Sequence, residues 1–105
     1  MAVLSDMNTR RVYAIHGPSL TIGRRMDCDL QIQDPCASNR HAQISCTGGV
    51  YYLSDLGSSN GTQVNGKRIT ESVQLKAGDI IGLGGLSFEF VEPLSVSSKS
   101  RLTPR

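Results

Sequence analysis

A chain of 105 residues holds one domain and has no room for two. Its formal charge is +2, yet residues 1–93 carry eight of the eleven Lys and Arg against all nine Asp and Glu, so the basic surplus lies in the tail. That placement excludes a protein that coats phosphate backbones with a basic patch, and no apolar run reaches the roughly 18 residues of a membrane span.

Cys28, Cys36 and Cys46 cannot all pair and none forms a C-x-x-C motif. They are expected to be reduced thiols. The start "MAVLSDMNTRR" has no apolar block long enough for a secretory signal, so the expectation is a soluble, cytoplasmic protein.

In chain order, short alternating runs replace any helical period. "AVL" (2–4) and "RVYAI" (11–15) flank a polar loop, and the turn "HGPS" leads to "LTIG" (20–23). "DLQI" (29–32), "HAQISC" (41–46) and "VYYLSD" (50–55) follow, the last two joined by "TGG". "TQV" (62–64) and "KRI" (67–69) are joined by Asn65-Gly66, a pair that tolerates the positive φ of a type I′ hairpin turn. "VQL" (73–75), "DIIGL" (79–83) and "SFEFV" (87–91) complete the body. Eleven short segments punctuated by eleven glycines predict an all-β, antiparallel β-sandwich over residues 1–93. Its predicted core is Ile22, Leu30, Ile32, Ile44, Leu53, Val64, Ile80, Leu83, Phe88 and Phe90. Residues 94–105, rich in Ser, Lys and Arg, are expected to form a flexible tail or linker.

Three loops are rich in hydrogen-bond donors: "GRRMDCD" (23–29), "DPCASNR" (34–40) and "LGSSNGT" (56–62). Simple alternation of strand ends puts the second and third at one end of the sandwich and the first at the other, unless the chain crosses between sheets. Three chemistries compete for these loops. Ser38 and His41 would be a nucleophile and base only if their side chains met and a third group oriented the imidazole, and no G-x-S-x-G elbow exposes Ser38. A metal site is disfavoured, because the histidines and cysteines lack ligand spacing. The third reading is a phosphate cradle. It has guanidinium groups on Arg24 and Arg40, hydroxyls on Ser38, Ser58 and Ser59, amides on Asn39 and Asn60, and open backbone N–H groups at the glycines.

The series "LTIGRRMDCDLQI", "SNRHAQI", "LSDLGSSNGTQVNG" and "LKAGDIIGLGG" closely resembles the forkhead-associated (FHA) domain, a phosphothreonine-binding β-sandwich, over about residues 2–91. The resemblance implies ligand loops gathered at one end, with a sheet crossover bringing the first loop to the others. It also implies Arg24 as the phosphate-binding arginine and Ser38 as a phosphate-binding hydroxyl. Asn39 and Ser59 would add phosphate or backbone contacts, and Asn60 would hold the peptide main chain. Gly23, His41 and Gly61 would shape the loops. Two positions depart from the family pattern. Ala37 stands where a larger aliphatic is usual, so the loop before Ser38 is expected to sit differently. Cys36 stands where some members place a basic residue reading the peptide, a role that Arg25, Arg40 or Lys67 would have to fill.

The expected function is a non-catalytic module that binds threonine-phosphorylated protein partners in Ser/Thr kinase signalling. Neither metal nor cofactor is expected, nor a nucleic-acid or membrane partner, and the isolated domain should be a monomer. The alternative is a phosphorylation-independent assembly domain of the same fold. Thr103-Pro104 is a candidate phosphorylation site for a second copy of the domain.

Overall fold

The computed structural model describes residues 2–92; Met1 and residues 93–105, with the expected tail and Thr103, lie outside the described residues. All eleven expected segments are strands. They are β1 (Val3–Asp6), β2 (Val12–Ala14), β3 (Ser19–Gly23), β4 (Leu30–Gln31), β5 (Ala42–Thr47), β6 (Val50–Asp55), β7 (Thr62–Val64), β8 (Lys67–Arg68), β9 (Val73–Gln74), β10 (Ile80–Leu83) and β11 (Leu86–Val91). They form a six-stranded sheet in the order β2-β1-β11-β10-β7-β8 and a five-stranded sheet in the order β4-β3-β5-β6-β9. Asn65 and Gly66 both adopt positive φ, 54° and 84°, and close the β7–β8 hairpin with Val64 opposite Lys67, as their residue types predict.

The inner faces of the two sheets supply the core. Leu4, Ile22, Ile44, Leu53, Ile81, Leu83 and Phe90 are each fully buried, and Phe88 is nearly so. Tyr51 and Tyr13 meet Phe90 and Phe88 edge to face at 5.3 Å and 6.3 Å. Two core expectations shift. Ile80 sits opposite Glu89 and is half-buried, while Ile81 takes the core place, because the two-residue period that buries Leu83 must bury Ile81 and not Ile80. Val64, just before the hairpin turn, is only partly buried against the core edge.

One pairing is not antiparallel, and it decides where the donor-rich loops lie. β4 runs parallel to β3, with Ile22 beside Leu30 and Gly23 beside Gln31. Parallel neighbours normally need a connection of about a dozen residues. Here β4 is so short that residues 24–29 suffice to double back. Both strands therefore end on the same side, so loops 24–29 and 32–41 share one end of the sandwich without a crossover between sheets at this point. β5 begins and β6 ends there too, since Ala42 pairs with both Ile22 and Asp55. Leu83 opposite Thr62 brings the β10–β11 turn to the same end.

Candidate functional site

The loop after β3 begins at a contact only glycine allows. A Cβ on Gly23 would lie 2.1 Å from the Asn39 carbonyl oxygen and 2.8 Å from its carbon. Over that gap the N–H groups of Arg24 and Arg25 donate to the carbonyls of Ser38 (3.1 Å) and Asn39 (3.2 Å). Asn39's carbonyl also receives the thiol of the buried Cys28 at 3.4 Å. The first two donor-rich loops are thus laced together through their main chains, and the Arg24 and Asn39 side chains remain exposed.

The loop before β5 is held from beneath by His41, which is fully buried. Its Nδ1 accepts the Ser38 N–H at 3.1 Å, which fixes the tautomer: Nε2–H must be the donor to the Gly61 carbonyl, 2.8 Å away. His41 therefore ties Ser38 to Gly61, a residue twenty positions beyond His41 itself, and it does so from inside the fold. Ser38 Oγ accepts the Ser59 N–H at 2.9 Å, and Asn60 Nδ2 donates to the Cys36 carbonyl at 2.7 Å. The Ser38 hydroxyl does not meet the imidazole. The nucleophile–base geometry is absent, and the hydroxyl hydrogen stays available to an acceptor outside the protein. Ala37 is buried in the core, and Gly84 (φ +61°) packs its backbone so closely that a Cβ there would sit 3.0 Å from the Ala37 nitrogen.

The third loop is organised by Asp55, at the end of β6. One carboxylate oxygen accepts the N–H groups of Gly57 and Ser58, both at 3.0 Å; the other accepts the hydroxyls of Ser58 and Thr62. Burial alone would raise this carboxyl's pKa, but the four hydrogen bonds outweigh burial and hold it below the ordinary carboxylate value. Ser58 is itself buried, and its Oγ also accepts the Gly61 N–H at 2.9 Å. That removes Ser58 from the set of ligand donors and makes it a brace. Asp55 was not singled out by the sequence, although "DLGSS" carries a signal. An Asp two and three residues before backbone N–H groups is a turn former.

Arg24, Ser38, Asn39, Ser59 and Asn60 all line one pocket of about 340 Å³, with Pro35, Cys36 and Ala37. Gly23, His41 and Gly61 lie behind it. Among the described residues Arg24 has no ion pair, whereas Arg25 and Arg40 both close on Asp27, at 3.1 Å and 3.4 Å. Lys67 lies on β8, away from this pocket. A larger cleft of about 400 Å³ borders Ser54, Asp55, Arg68 and Ser72. Its volume does not make it the better anion site, because Ser54 and Ser72 bond to each other and Asp55 is negative. Among the described residues no group of three or more His, Cys, Asp or Glu is placed to hold a metal. Nor is any helix there long and apolar enough to cross a membrane.

Comparison with known proteins agrees with this geometry. The FHA domain family model matches residues 20–84. Human proliferation marker protein Ki-67 is 40% identical over 84 residues, 79% of this chain but 3% of its own length. The chain thus spans a small part of that relative. The structure of Mycobacterium tuberculosis EmbR in complex with a low-affinity phosphopeptide superposes with a TM-score of 0.84 at 37% identity, covering 86% of this chain and 24% of that one. A structure from work on phosphothreonine-dependent FHA domain interactions gives 0.83 at 35% identity, covering 89% and 98%. With its strand order, its laced loops and a family match over more than half its length, the chain belongs to the FHA domain family.

Proposed function

We propose that this domain binds phosphothreonine peptides of partner proteins through Arg24, Ser38, Asn39, Ser59 and Asn60, and that it performs no catalysis. One observation carries the reading. All five residues converge on a single pocket, and the guanidinium among them is the one left without an acidic partner while its neighbours Arg25 and Arg40 share Asp27. A phosphate dianion supplies the missing charge, and its three oxygens suit a guanidinium, a hydroxyl and amides better than a carboxylate's two do. The neighbouring structures carrying a phosphopeptide, or described as phosphothreonine-dependent, support the same ligand class. Three free cysteines suit a reducing, cytoplasmic setting.

The test is a titration followed by amide chemical shifts, using one peptide in four forms: threonine, phosphothreonine, phosphoserine and glutamate. Phosphothreonine should bind and move the Arg24, Ser38 and Ser59 amides, with phosphoserine weaker by about 10–200-fold if one methyl is read by an apolar slot. Equal binding of all four would remove phosphate recognition and leave the assembly-domain alternative standing.

A further inference from the structure

We propose that Ser58, anchored by Asp55, is a positioning residue of the phosphate pocket, closing two donor-rich loops into one unit through a ring of hydrogen bonds. The proposal rests on the phosphopeptide reading above and adds a residue that touches no ligand. The ring can be walked. Asp55 anchors the ring from outside by accepting the Ser58 hydroxyl; within it Ser58 Oγ accepts the Gly61 N–H and the Gly61 carbonyl accepts His41 Nε2–H. His41 Nδ1 accepts the Ser38 N–H, Ser38 Oγ accepts the Ser59 N–H, and Ser59 is bonded covalently to Ser58. Ser58 and His41 are buried, so water cannot replace their links cheaply.

The ring fixes donors as well as loops. Ser58 Oγ gives its one hydrogen to Asp55, which leaves its lone pairs to the Gly61 N–H. The Ser38 N–H can only donate and the Gly61 carbonyl can only accept, and together they set the imidazole tautomer. The carboxylate, an acceptor only, sets the direction of the Ser58 hydroxyl, and backbone N–H and carbonyl groups set the direction of the other bonds. Thr62 provides the internal comparison. Its hydroxyl also donates to Asp55, from a fully buried position on β7, but it leads to no ligand loop.

Ser58→Ala and Thr62→Val therefore each remove one hydroxyl bond to Asp55, and only the first cuts the ring. Both are compared well below their melting temperatures with the folded fraction measured. Ser58→Ala should weaken phosphothreonine-peptide binding by about tenfold or more, the scale of one stranded buried donor. Thr62→Val should stay within about threefold, whatever its melting temperature. Without ligand, Ser58→Ala should shift the Ser38 amide and the His41 ring nitrogens, and Thr62→Val should leave them in place. Equal binding losses in the two variants, or an unmoved Ser38 amide in Ser58→Ala, would overturn the proposal. If Ser58→Ala does not fold, hydrogen exchange on the natural chain decides. The Ser38 and Gly61 amides, in different loops, should share one protection factor, and a difference above about tenfold would overturn the unit. If the natural chain binds no phosphopeptide, the functional reading fails while the chemical-shift and exchange results still decide the ring.

Discussion

Replacing Gly23 with alanine adds one methyl group and should damage both stability and binding. The ideal Cβ falls 2.1 Å from the Asn39 carbonyl oxygen, 2.8 Å from its carbon and 3.0 Å from Arg40 Cα, all backbone atoms that cannot rotate aside. The loop before β5 must move off β3. Overpacking of this kind costs about 1–3 kcal/mol. The movement also strains the Arg24-to-Ser38 and Arg25-to-Asn39 main-chain bonds, each worth about 0.5–1.5 kcal/mol. The total is about 2–6 kcal/mol, against a whole-domain stability of about 5–15 kcal/mol. Thermal melts should show a fall of at least about 8 °C, and amide shifts should change at Arg24, Arg25, Ser38 and Asn39. Gly82→Ala is the control, since its Cβ would meet Gln63 at an ordinary 3.4 Å. A Gly23→Ala shift below about 4 °C, the range of a surface substitution, would refute the close approach.

Arg24→Ala should weaken phosphopeptide binding by roughly 30-fold or more, from about 2–5 kcal/mol for one partner of a close charge pair; melts and titration should show the domain still folded. His41→Ala should lower both melting temperature and affinity, since it strands the Ser38 N–H and the Gly61 carbonyl at about 1–3 kcal/mol each; intact stability with lost binding would make His41 a ligand contact and not a scaffold. Affinity should fall as pH drops through about 6, where the phosphate dianion gains a proton. Because Asp55 has a lowered folded pKa, its stabilisation is complete above about 3.9 and is lost as pH falls through the folded value. The melting-temperature gap between the natural chain and Asp55→Asn should therefore hold above pH of about 4 and close below it; a gap unchanged to pH of about 2 would contradict the carboxylate's role.

The fold was legible because its signals are local. Alternation marked all eleven strands, and Asn65-Gly66 marked a turn that needs two positive φ values. Ile80 was misplaced where two isoleucines adjoin, although the two-residue period counted back from Leu83 already selects Ile81. The five residues that line the pocket were legible as residue types, and the resemblance supplied the roles proposed for them. What stayed hidden depends on contacts across long stretches of chain. The parallel pairing of β4 follows from how short that strand is, and an apolar count does not report strand direction. Ser58 and Ser59 are adjacent and identical in kind. Only the fold decides that Ser58 faces Asp55 and Ser59 lines the pocket. Asp55 could be suspected as a local turn former, but its link to His41 runs through Gly61, six residues on.

Division of labour within the pocket follows from which groups are already committed. Ser38, Ser59 and Asn60 are tied to protein partners, so presenting them to a ligand costs little further ordering. Arg24 is pinned only through its backbone: its N–H bonds Ser38 and its carbonyl receives Gln31 Nε2 at 3.1 Å. Its side chain is exposed and gives up about 1.5–2 kcal/mol of rotamer freedom when it closes on a phosphate. On the proposed function, charge should govern affinity, while the fixed donors should govern which anion fits. Arg24→Lys keeps the charge and loses the fork, so it should weaken phosphothreonine and glutamate peptides by similar factors and preserve the preference between them. Ser38→Ala removes a fixed donor that a carboxylate uses poorly, so it should lose less affinity and more of the preference. Titrating both variants with both peptides gives four ratios. If Arg24→Lys erases the preference while Ser38→Ala preserves it, selectivity resides in the arginine fork and the preorganised loops serve only to hold it in place.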